Sequence, residues 1–234
     1  MLLIAVLFAA GSSAWAQPAP DELLYRRLTV GGKEVAVAAL EQILKAPEAV
    51  SATVLYSAVD VAARENRVAD AAFLFYIARF RVQYDRELFP SASPEADSPL
   101  PSLSALQKQW VGVIVPAVMA YPKAFASALA RVKTWQPKVP AGYQPGWKFT
   151  GRGSEARAAA VMEASRKQFL EVMGGLSTLL QDKAYFDAFR ICQAYNTETS
   201  SVQPSKDAYN AALKTLERIE KEKGIPGIAA QSKK

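Results

Sequence analysis

Paired carboxylates are the least equipment with which this chain could hydrolyse a polymer, and Asp85 and Glu87 are the acids that adjoin its most apolar segment. Their place at the end of that segment reads as helix-end solvation. Asp60 stands one helical turn before Arg64, and Glu171, Asp182 and Asp187 sit among charged neighbours, the pattern of solvated helix faces. The chain has no histidine. That removes Ser-His-Asp and Cys-His nucleophiles, imidazole bases and nearly every zinc arrangement. A serine activated by lysine escapes the exclusion, but Ser165-Arg166-Lys167 and Ser205-Lys206 lack the Ser-x-x-Lys spacing and read as helix surface and helix cap. Hard cations need clustered oxygen ligands, and no acidic run or EF-hand loop supplies them. The expectation is a non-enzymatic protein with no cofactor and no metal.

Binding chemistry has more to work with. Trp135, Tyr143, Trp147 and Phe149 fall in or beside a stretch, 136–153, dense in proline and glycine. Aromatic side chains on such a loop can anchor a partner protein or stack on sugars, or they can fold back and fasten the loop to the core. These four residues are the partner-binding candidates. The one cysteine, Cys192, lies in the apolar run Phe189-Arg190-Ile191-Cys192 and reads as a buried, inert thiol; a lone cysteine forms no internal disulfide.

The elements that must position these residues begin after a leader. Residues 1–16 carry an apolar run from Leu2 to Ala10 and end in Ala14-Trp15-Ala16, which reads as a signal peptide cleaved before Gln17. The product, 17–234, is expected to form a single α-helical domain in the periplasm or outside the cell. Lys and Arg number 28 against 22 Asp and Glu, a net charge of +6. Their scatter argues against a nucleic-acid partner. Apolar spacing predicts an all-α fold, an irregular bundle of about eight to nine helices in antiparallel hairpins around a central apolar helix over 68–88. Flanking helices are expected over 21–28 and 33–46, and from Glu48 to Glu65 with Pro47 in the first turn. Further helices are expected from Ser102 to Ala120 with a kink at Pro116, over 122–135, and from Glu155 toward Leu180 with a bend or break at Gly174-Gly175. Asp182 and Ser205 start the last two, and Gly224 with Pro226 stops the second of them. Long links cover 89–101 and 136–153, the tail is frayed, and the run 111–120 is too short to span a membrane.

Between Leu55 and Leu88, the residues Ala62, Ala63, Asn66, Ala69, Ala71, Ala72, Tyr76 and Ala78 resemble the small-residue spacing of tetratricopeptide-type helical hairpins. The resemblance implies closely packed antiparallel helices with a bias toward protein binding, and carries over no functional residue. Compartment and elimination together suggest a periplasmic immunity protein, an inhibitor that neutralises a secreted antibacterial effector. An envelope adaptor or chaperone with a helical-repeat-like groove, and a cell-wall hydrolase with an unfamiliar site, are the alternatives. The expected partner is a protein, acidic at the contact, with no nucleic acid and no stable membrane span.

Overall fold

The computed structural model describes residues 20–92, 100–196 and 203–227. Within them the chain is helical: α1 (Pro20–Thr29), α2 (Lys33–Lys45), a 3-10 turn (Pro47–Ala49), α3 (Ala52–Arg64), α4 (Val68–Leu88), α5 (Leu100–Ala120), α6 (Pro122–Thr134), α7 (Glu155–Gln181), α8 (Lys183–Tyr195) and α9 (Lys206–Lys223). The only β-type pairing among the described residues is an isolated antiparallel bridge between Ser91 and Phe149. The chain is therefore an all-α bundle.

The all-round apolarity of α4 makes it the centre. Ala71 to Ala78 form an unbroken buried run, and Phe80, Arg81, Tyr84, Asp85 and Leu88 continue it. Such a helix needs neighbours on several sides, and α3, α5, α6 and α7 all pack against it. α3 is its most intimate partner, returned through the Glu65-Asn66-Arg67 turn. There Asn66 adopts φ 56°, in the left-handed region that Asn enters more readily than other residues with a side chain. Tyr76 meets Phe125 of α6 and Phe169 of α7 at ring-centroid separations of 6.5 and 4.7 Å, which joins three helices through one side chain.

Three local expectations are corrected. The third helix starts at Ala52, because the Ser51 amide is taken by the Asp21 carboxylate at 2.8 Å and the backbone there is extended; Pro47 opens a 3-10 turn instead. α7 passes Gly174-Gly175 without a break. Close packing explains Gly175: a β-carbon there would come within 2.9 Å of Ile225 Cγ2. On α1 only Leu24 and Leu28 face the core, while Leu23 and Tyr25 are exposed. α5 contains Pro116 within its length, and its inner residues Leu103, Trp110, Ile114, Val118 and Met119 are buried in the bundle.

Candidate functional site

A loop that crosses a core must find partners for its own amides and carbonyls, and 136–153 finds them on the end of α4. Gly153 N–H donates to the Leu88 carbonyl at 2.7 Å, Thr150 N–H to Pro90 at 3.1 Å, and Ala92 N–H back to Lys148 at 2.9 Å. A β-carbon at Gly153 would lie 2.6 Å from the Glu87 carbonyl oxygen, so glycine is required for this approach. Of the two expectations for Trp135, Tyr143, Trp147 and Phe149, their burial favours rings folded back onto the core. Trp135, Tyr143 and Trp147 are 5, 9 and 7% exposed, and Phe149 is half-buried. Trp147 Nε1 donates to the Phe89 carbonyl at 2.8 Å, and the Phe149 ring packs on that of Phe89 at 5.0 Å. Their apolar area fastens the loop.

Beneath the loop, Arg81 and Asp85 stand one turn apart on α4 with no exposed surface. Asp85 is therefore not solvated at a helix end. Arg81 Nε donates to Asp85 Oδ2 at 3.1 Å and to Tyr143 Oη at 2.9 Å, while Nη1 donates to the carbonyls of Glu48 at 3.1 Å and Lys138 at 2.8 Å. Tyr143 donates its hydroxyl proton to Asp85 Oδ2, and its ring centroid lies 4.1 Å from the guanidinium carbon. One side chain thus ties α4 to the 3-10 turn and the loop, with charge-assisted bonds of the strong kind.

Burial pushes the Asp85 carboxyl up to about 6, against the opposing pull of the Arg81 charge and the bonds from Tyr143 and Arg81. Its Oδ1 has no hydrogen-bond partner among the described residues, so burial has one oxygen to act on unopposed. At Arg81, burial favours neutrality, and Asp85 with Tyr143 more than reverses it, keeping the guanidinium charged. Burial and the neighbouring carboxylate raise the Tyr143 phenol well above its ordinary range. A carboxyl near 6 suits proton transfer. Asp85 is sealed from solvent, however, so its geometry is that of a structural staple.

Several concave surfaces are open, among them a groove of about 620 Å³ beside Tyr121, Leu180 and Phe186 and one of about 300 Å³ between α4 and α7. A crevice of about 310 Å³ lies between α1, α2 and the loop, with Leu24, Ile43, Val50, Pro140 and Tyr143 in its wall and Asp21 among its polar groups. A wider groove of about 620 Å³ runs between α6 and α7. Its apolar wall is Ala126, Leu129, Ala130 and Leu170; its cations are Lys133, Arg166 and Lys167, and its acids Glu163 and Glu171. Arg166 is 3% exposed, with its guanidinium held by the Trp135 carbonyl and the Glu163 carboxylate. The groove therefore has a charged group whose position is set before anything binds.

Compared with known proteins, the chain matches no family model, and no curated protein or solved structure shows a match. Among the described residues, no three His, Cys, Asp or Glu side chains converge as a metal site would require. Cys192 is buried, and burial pushes its thiol up, away from reactivity. Asp60 and Asp187 lie in exposed pairs with Arg64 and Lys183, at 2.7 and 2.6 Å. Arg166 was read in sequence as helix surface; its burial follows from a carbonyl contributed by Trp135, far away along the chain, which periodicity does not contain.

Proposed function

We propose that the chain is an exported binding protein of the immunity type, which neutralises a secreted antibacterial effector by holding it at the groove between α6 and α7. The observation that carries this reading is the groove itself: a concave, mostly apolar surface with Lys133 and Lys167 exposed along it, Arg166 paired with Glu163 in its wall, and Glu171 at its side. Exposed lysines beside an apolar wall, over an arginine already fixed by Trp135 and Glu163, suit the contact of an acidic partner. A helix or extended segment with carboxylates spaced along one face matches it, in the mode by which a partner helix seats in a groove. The sealed Arg81, Asp85 and Tyr143 cluster supports the same reading, since the most perturbed acid is used in folding. The α3 and α4 hairpin favours the adaptor as the second reading, through its resemblance to peptide-binding repeats.

Protection that depends on export is the test. A deletion strain is expected to be killed in co-culture by sibling cells that carry the effector, and the full chain is expected to restore survival. A version lacking 1–16 is expected to fail. Full protection by the leaderless version, or no sensitivity on deletion, would contradict the reading.

A further inference from the structure

The basic excess is not spread evenly. From Leu100 to Ser154 the chain has no Asp or Glu, yet it carries Lys108, Lys123, Arg131, Lys133, Lys138, Lys148 and Arg152. Acids elsewhere neutralise Arg131, Lys138 and Arg152, through Asp70, Glu48 and Glu155. Lys108 and Lys123 are exposed and make no ion pair among the described residues.

Between these two lysines, beyond exposed Gln109, the outer flank of α5 is apolar. Gly112, Val113, Pro116 and Ala120 recur at helical spacing and are all exposed, and Tyr121 follows them at 54% exposed. By length and composition α5 could cross a membrane, but its inner face is built into the bundle, which leaves only this flank for an external contact. From Gly112 to Ala120 the flank runs about 12 Å at 1.5 Å per residue, with valine, alanine, glycine and proline as its contact groups. Protein interfaces favour Trp, Tyr and Arg seated in pockets and disfavour Lys. A smooth apolar strip with a lysine at each end and no acid has the opposite composition. It matches a bilayer surface, where short apolar side chains enter the headgroup boundary and lysines reach anionic phosphates.

We infer that the outer flank of α5 is a membrane-surface contact selective for anionic phospholipid. The test is flotation of the full chain with vesicles of phosphatidylcholine alone or with about one-third phosphatidylglycerol, at low and high salt. Variants differ only on the flank, so any contribution of the leader is common to all. Wild type is expected to float with the anionic vesicles and lose most of that binding at about 0.5 M salt. Lys108→Gln with Lys123→Gln is expected to weaken binding roughly thirty-fold, at about fivefold per lysine. Val113→Asp with Ala120→Asp is expected to abolish it while the circular dichroism spectrum is retained. Equal flotation with neutral vesicles, or variants that float like wild type, would overturn the inference. So would a dimer in sedimentation that the Val113→Asp variant dissociates, since the strip would then be covered by a second copy.

Discussion

Asp85 sets the pH dependence of the fold through a sign that runs opposite to that of most paired carboxylates. An aspartate in an unfolded chain gives up its proton near 3.8, whereas folded Asp85 keeps it to about 6. Between those values the folded state binds more protons than the unfolded state, so stability falls as pH rises. The contribution is fully present below about pH 4, is lost by about pH 6.5, and amounts to about 3 kcal/mol over two units. Urea melts of wild type and Asp85→Asn between pH 4 and 7 are expected to show wild type declining relative to the variant over that window. A difference constant with pH would contradict the account. The i, i+4 spacing of Arg81 and Asp85 lies within one helix. Tyr143, which completes the cluster, lies 58 positions away from Asp85; no local pattern contains that contact, so Asp85 read as solvated and Tyr143 as a partner anchor.

At the scale of elements, what was legible was what is local. Ser154, Asp182 and Ser205 cap α7, α8 and α9 by accepting the amides of Arg157, of Ala184 and Tyr185, and of Ala208. Gly224 ends α9 at φ 63°. These signals need only neighbours in sequence. The break before α3 was missed because the Ser51 amide is claimed by Asp21, thirty positions earlier. The α3 to α4 turn gives a direct test of a local signal. Asn66→Val is expected to cost about 1–2 kcal/mol, because a β-branched residue resists the left-handed conformation. Asn66→Gly is expected to be near neutral, and thermal melts of the two variants check the pair. Equal melting temperatures for both would show that the turn relaxes out of that conformation.

For the whole molecule, the division of labour follows from where its charges and rings come to rest. The loop aromatics and the buried ion pair hold 136–153 against the end of α4, and exposed Lys133 and Lys167 line the groove between α6 and α7. Sequence composition could show the net positive charge; only the packing of α6 on α7 shows that Lys133, Arg166 and Lys167 share one concave surface. An acidic partner is therefore expected to bind with a marked dependence on salt. Co-purification of the chain, in wild-type form and with Lys133→Glu and Lys167→Glu, tests the central claim most directly. The expected result is one stoichiometric protein with wild type, toxic when made alone in the periplasm, harmless beside this chain, and lost from the charge-reversed variant. Many substoichiometric envelope proteins, or a toxin retained equally by the variant, would contradict it.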